Sequence, residues 1–209
     1  MKNKFFSLWL SAVCIIFFIL QVVIPNFTEN LLLNNQALKG QIWRFITAIF
    51  LHGSLQHLVL NLFALILFGL ILEKFIGSYR FLFIFLISGI IANIISVFFY
   101  PSSLGASGAI FGVIGTLTII KPLMTVWAFS LPMPLFLAAI FWAIADILGI
   151  FYPQGIGNFA HLSGLALGLI LGLYLRMKHF KKKQLRADYA RINIPENYIR
   201  DWEDNYVRR

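Results

Sequence analysis

Ser107 stands in the run Gly105-Ala106-Ser107-Gly108, at the head of an apolar stretch. A serine hydroxyl is a weak nucleophile until a neighbouring base takes its proton, and histidine is the usual base. Three histidines occupy informative places: His52 and His57 open one apolar run, and His161 opens another. Asn61 follows His57 by four residues, which puts both on one face of a helix. Residues of these types can carry acyl transfer. Ser107 would attack, a histidine would accept its proton, and nearby donors would meet the charge developing on the carbonyl oxygen. At a helix start Ser107 keeps its own N–H free, and the positive end of the helix dipole favours that charge. From their shared face His57 and Asn61 can add two further donors. His52 lies about 180° from Asn61 around a continuous helix, so it is expected to face a different neighbour.

Long apolar elements must position these groups. Sixty per cent of the 209 residues are hydrophobic and 12% are charged, against about 25% charged in an ordinary soluble chain. Six apolar runs stand out, at 5–24, 49–72, 79–99, 104–120, 132–152 and 159–177. A helix needs about 20 residues to cross a hydrocarbon core of about 30 Å. Backbone polar groups cannot face lipid unpaired, so such runs must be helical, and their lack of alternation excludes a barrel. The expected fold is an all-α membrane protein, a six-transmembrane-helix bundle over residues 1–177 followed by a basic polar tail, 178–209. Lys2, Lys4, Lys74, Arg80, Lys121 and ten Lys/Arg from Arg176 onward would share one side, leaving Lys39 and Arg44 on the other. The positive-inside rule then puts both termini in the cytoplasm. Lys2 and Lys4 precede an apolar run too long for a signal peptide and without a small-residue cleavage site, so it reads as an uncleaved first span. The single cysteine, Cys14, excludes an intramolecular disulfide. The charge bias explains the net +9 without nucleic acid, and Lys181–Lys183 suit anionic lipid headgroups.

In this topology the second, fourth and sixth spans all run inward from the outer side. His52, His57, Asn61, Ser107 and His161 therefore converge at one depth, and ionisable groups inside spans are costly enough to be read as functional. From Ser107 to Ile120 is 14 residues, or about 20 Å of helix. If its inner end meets the boundary at Lys121, its outer end stops below the surface, and Ser107 sits on the floor of a water-accessible recess. Gly108, Ala109 and Gly112 on the fourth span, and Gly164, Gly168 and Gly172 on the sixth, would let the two helices approach closely. Pro132 and Pro134 mark the start of the fifth span and Pro153 its end. Asp146, near that outer end, is where triad logic would seek an acid. It is left out here, since an acid near an interface can reach water or a neighbouring helix. Glu73 reads as a loop-fixing contact and Trp43-Arg44 as an interfacial anchor.

The set Gly105-Ala106-Ser107-Gly108, His52-x4-His57-x3-Asn61 and Ala160-His161-x2-Gly164, with Trp43-Arg44 and Glu73-x3-Gly77, resembles the rhomboid intramembrane serine proteases over about residues 1–177. The resemblance implies Ser107 as nucleophile, His161 as general base, and His57 and Asn61 as oxyanion stabilisers. His52, Gly105 and Phe111 are supporting residues. It implies a Ser–His dyad with no catalytic acid, metal or cofactor, acting on single-span membrane proteins near the outer boundary of the bilayer. Phe111 departs from the best-known bacterial members, which often place a tyrosine against the histidine. Its ring can still stack, without the hydroxyl. A polytopic transporter or proton-coupled channel would instead spread polar groups through the whole depth, whereas the cytoplasmic half here is almost wholly apolar. A non-catalytic rhomboid-like binding protein is disfavoured by the presence of both Ser107 and His161.

Overall fold

The computed structural model describes residues 4–152, 155–191 and 196–207. Lys2 and Pro153, used above, lie outside the described residues, as do the side chains of Lys181–Lys183. Helices form at all six apolar runs. In chain order the elements are α1 (Phe6–Val23), α2 (Phe27–Leu31), β1 (Leu33–Asn34), α3 (Arg44–Thr47), α4 (Leu55–Ile76), α5 (Ser78–Ser96), β2 (Ser102–Ser103), α6 (Ser107–Ile120), β3 (Thr125–Ala128), β4 (Leu131–Pro134), α7 (Leu135–Phe151), α8 (Asn158–Arg191) and α9 (Glu196–Tyr206). Among the described residues α1, α4, α5 and the Asn158–Lys178 part of α8 are long and apolar enough to cross a membrane, while α6 and α7 are shorter. The chain divides into two compact units, Met1–Leu173 and Tyr174–Arg209. In the second, α9 carries Tyr198, Ile199, Trp202 and Tyr206 as exposed apolar side chains.

Burial separates the helices of the first unit into a centre and a rim. Ten residues of α6, from Gly108 to Thr118, are buried, whereas Val22, Phe63 and Phe83 on the long helices are largely exposed. Large apolar groups on the outer face are what a lipid-facing helix presents. The central place of α6 follows from its small residues. A side chain at Gly164 would run into the Gly108 carbonyl, and one at Gly168 into the Gly112 carbonyl, so the backbones of α6 and α8 touch. Thr116 Oγ1 lies 3.0 Å from the carbonyls of both Gly112 and Gly168, a polar tie across the same seam.

Two polar residues fix the surroundings. Glu73 at the end of α4 is buried, and its carboxylate accepts from the Phe6 N–H (2.9 Å), the Ser7 N–H (3.1 Å) and the Ser7 hydroxyl (3.0 Å). The expected loop-fixing contact is therefore a cap on the N-terminus of α1, satisfying donors that have no intrahelical partner. Arg44 is also buried rather than anchored at an interface. Its guanidinium donates to Gln41 Oε1 and to the carbonyls of Glu29 and Leu32, drawing the 25–48 connection together.

Three local expectations change. The second apolar run does not open as helix at His52, because Gly53 and Ser54 form a turn and the Ser54 hydroxyl caps α4 by accepting from the His57 N–H (3.1 Å). The angular argument that turned His52 away from Asn61 therefore has no helix to act on. Pro132 and Pro134 belong to β4, paired antiparallel to β3, and α7 begins only at Leu135. Phe129 and Ser130 join the two strands with φ of 53° and 63°. This is the left-handed pair a tight hairpin needs, without the Asn-Gly or Asp-Gly that usually signals one. Finally, helix continues past 177 to Arg191.

Removing the Glu73 cap leaves buried donors of α1 unpaired, a loss of about 1–3 kcal/mol. Glu73→Ala is expected to lower the thermal unfolding temperature of the purified protein in detergent, and Glu73→Gln, which keeps one acceptor, to lower it less.

Candidate active site

Ser107 is the first residue of α6. The first bond closing the helix runs from the Ile110 N–H to the Ala106 carbonyl (2.9 Å), so the N–H groups of the first turn are left for other partners. Ahead of it the chain turns at Gly105, whose φ of +128° suits glycine, and the Gly105 N–H is held by the Ala48 carbonyl (2.8 Å). His161 lies in the first turn of α8. A side chain at Gly108 would meet the Ala160 carbonyl, so the residue after Ser107 abuts the residue before His161.

Ser107, His161, His57, Asn61, Gly105 and Phe111 all line one open cavity of about 1490 Å³. Four of the five polar groups expected to converge, Ser107, His161, His57 and Asn61, thus share one cavity. Asn61 is buried, and its amide donates one N–H to the His57 carbonyl one turn back (2.9 Å), leaving the second N–H to be given elsewhere. The His57 ring packs on Gly105, where a side chain would come within 2.8 Å of its Cε1. His52 does not line the cavity. It is fully buried, with its ring centroid 5.1 Å from that of His57 and, among the described residues, neither ring nitrogen hydrogen-bonded. Its backbone is clamped by Gln21, which accepts from the His52 N–H (3.0 Å) and donates to its carbonyl (3.1 Å). Such a group buttresses His57.

The His161 ring is held on its face and on its edge. Phe111 stacks on it with centroids 4.3 Å apart and planes 4° from parallel, so the stack expected without a tyrosine hydroxyl does form. Trp142 of α7 meets the Phe111 ring edge-on at 6.5 Å, and also lines the cavity. On the edge, Asp146 Oδ1 lies 2.9 Å from His161 Nδ1, with both side chains largely buried. Of the two partners expected for Asp146, water or a neighbouring helix, the structure shows the second. The carboxylate reaches a neighbouring helix, and the residue it reaches is His161. Among the described residues no group of three or more His, Cys, Asp or Glu side chains is placed to hold a metal ion.

The strain at Gly105 gives a test of this packing. Gly105→Ala puts a Cβ into the His57 ring at a left-handed φ, costing about 1–3 kcal/mol. The expected result is a lower unfolding temperature, of which only the part due to the ring clash is recovered when His57→Ala is added in the double variant, because the backbone strain at position 105 remains.

Residues 39–178 match the family description "Rhomboid domain". Over 138 residues the chain is 39% identical to RHOMBOID-like protein 6, mitochondrial, of Arabidopsis thaliana, covering 65% of this chain and 44% of that protein. It is 40% identical over 124 residues to Rhomboid protease GluP of Bacillus subtilis (strain 168), covering 56% of this chain and 24% of that protein. With Rhomboid-like protease 3 of Toxoplasma gondii it shares 31% identity over 179 residues, 79% of this chain and 67% of that protein. The chain thus spans less than half the length of the plant and Bacillus relatives. A helical membrane bundle with small-residue seams, polar helix starts gathered on one cavity, and a family match over most of its length identify this chain as a member of the rhomboid family.

Proposed function

We propose that this protein is an intramembrane serine endopeptidase that hydrolyses peptide bonds of single-span membrane proteins, in or near their transmembrane segments, with Ser107 as nucleophile and His161 as base. One observation carries the reading. The Gly108–Ala160 contact brings the helix starts bearing Ser107 and His161 together on a single open cavity. The rhomboid family membership and the likeness to a rhomboid protease support intramembrane proteolysis as the reaction class.

The steps follow from these residues. His161 takes the Ser107 proton as Oγ bonds to the scissile carbonyl carbon, then gives it to the leaving amine as the acyl-enzyme forms. Water repeats the sequence in reverse roles and frees the acid product. The Ser107 N–H, the second Asn61 N–H and the His57 ring N–H meet the negative charge on the carbonyl oxygen. No metal or cofactor enters these steps.

On this reading residues 1–177 form a six-span catalytic domain and 178–209 a basic cytoplasmic tail. The excess of Lys and Arg on one side of the connections argues for both termini in the cytoplasm. The site would then open toward the extracytoplasmic side of the cell membrane. The 14 residues of α6 span about 20 Å, which would sink Ser107 below the membrane face, where water arrives through the cavity.

The test uses a single-span reporter co-reconstituted in liposomes. Ser107→Ala and His161→Ala are each expected to reduce cleavage by at least roughly 10³-fold. His57→Ala or Asn61→Ala should cost about 10²-fold through the lost oxyanion donor. A fluorophosphonate should label Ser107 in the wild type and fail to do so in His161→Ala. Wild-type cleavage by Ser107→Ala would sink the proposal.

A further inference from the structure

We infer that Asp146 is a positioning residue for His161, holding the imidazole of the proposed Ser107–His161 pair through Nδ1. The inference rests on the protease reading above, and it begins with register. α7 and the start of α8 meet so closely at Gly149 that a side chain there would run into the Asn158 amide. Three residues back from Gly149 along α7 is Asp146, and three residues on from Asn158 along α8 is His161. One helical turn from the glycine contact, the carboxylate and the imidazole are therefore brought face to face, and they meet at 2.9 Å. This distance is that of an N–H···O bond.

The consequence is chemical. An ionised carboxylate only accepts, so the proton between the two groups sits on Nδ1, and Nε2 is left with its lone pair. Phe111 fixes the plane of the ring, but the stack is the same after a half-turn flip about Cβ–Cγ, which exchanges the Nδ1 and Cδ2 edges. The Asp146 bond removes that freedom by holding Nδ1 against α7, which leaves Nε2 for the cavity that His161 shares with Ser107. When Nε2 takes the Ser107 proton, the ring carries an N–H on both nitrogens, and the carboxylate stabilises the imidazolium through Nδ1–H without itself becoming protonated. The proton on Nε2 then leaves with the amine, and the ring returns to its first state.

Burial argues that the carboxylate is kept for a purpose. Asp146 is 6% exposed, in a helix whose other residues are nearly all apolar, and a buried charge is tolerated when a partner repays part of its desolvation. The partner is His161. A second, smaller cavity of about 440 Å³, lined by Asp146, Gly149, Tyr152 and Asn158, reaches the carboxylate.

Full-length wild type and Asp146→Asn, Asp146→Ala and Asp146→Glu are compared in liposomes by reporter kinetics, by the rate of fluorophosphonate labelling at Ser107, and by ¹⁵N spectra of labelled histidine. The expected result is a kcat and a labelling rate lowered by roughly 10²- to 10⁴-fold in the Asn and Ala variants, with KM within a few-fold of wild type. Part of the activity should return in Asp146→Glu. Formate should restore part of it to Asp146→Ala, through the cavity the lost side chain enlarges. His161 should carry its proton on Nδ1 in the wild type and shift toward the Nε2–H form in Asp146→Ala. Unchanged rates with only a lowered unfolding temperature would overturn the inference and make Asp146 a packing tie. A higher kcat/KM for the reporter, with unchanged labelling, would overturn it in favour of a latch between α7 and α8. Failure of the wild type to cleave or label would refute the protease reading alone, because the tautomer spectra still decide whether Asp146 sets the state of His161.

Discussion

Contact between the backbones of α6 and α8 is the constraint on which the rest of the first unit depends. In lipid there is no bulk hydrophobic force to press two helices together, so close approach has to come from packing and polar ties. Here Gly164 and Gly168 lie directly on the carbonyls of Gly108 and Gly112, and Thr116 bridges the seam. A methyl group at either α8 glycine would wedge the helices apart. Because the contact begins within one residue of both Ser107 and His161, the seam that holds the bundle also sets the distance between the two side chains proposed to react.

A second constraint is that polar groups away from water must satisfy one another. Much of the architecture around the site answers it with single residues serving two chain segments. Gln21 clamps the backbone of His52, Glu73 caps α1, and Arg44 collects carbonyls of the 25–48 connection. Glu73 fastens one helix end to another, while Gln21 and Arg44 hold irregular backbone in place, which is what allows it to persist beside helices that face lipid. Among the described residues His52 is one exception, buried with both ring nitrogens unpaired, and the Ser88 and Ser96 hydroxyls are others. The His52 ring instead fills the space behind His57, which in turn rests on Gly105. The chain of contacts His52–His57–Gly105 sets the wall of the cavity next to Ser107.

Much of this was legible because the informative residues lie at helix starts, where residue type and depth coincide. Ser107 and His161 could be read from their flanking glycines, and His57 with Asn61 from their four-residue spacing, since each signal is local to one helix. What escaped was not local. The hairpin 125–134 turns on Phe129 and Ser130, which carry left-handed backbone without a turn signature, so Pro132 and Pro134 looked like a helix start. His52 falls inside the apolar run 49–72 and so reads as helical, although Gly53-Ser54 interrupts the run and Ser54 caps α4. Asp146 was visible as an acid in an apolar helix, yet its partner is on another helix. Only the register of α7 against α8 at Gly149 and Asn158 decides which side chain it meets.

The Phe111 substitution and the Asp146 contact bear on one another. A tyrosine at position 111 would add a hydroxyl near the imidazole, whereas phenylalanine supplies a parallel face alone. Face contact orders the tilt of a ring and leaves its half-turn flip about Cβ–Cγ undecided, because dispersion is nearly the same for either face. A directional bond at the ring edge is the kind of interaction that fixes rotation, and Asp146 Oδ1 provides it at 2.9 Å. The two contacts therefore act on different degrees of freedom of the same imidazole. Their geometry also explains why the acid sits on α7: α6 already occupies the face of the ring through Phe111, and the edge bearing Nδ1 is the one α7 can reach once Gly149 lets it close on Asn158.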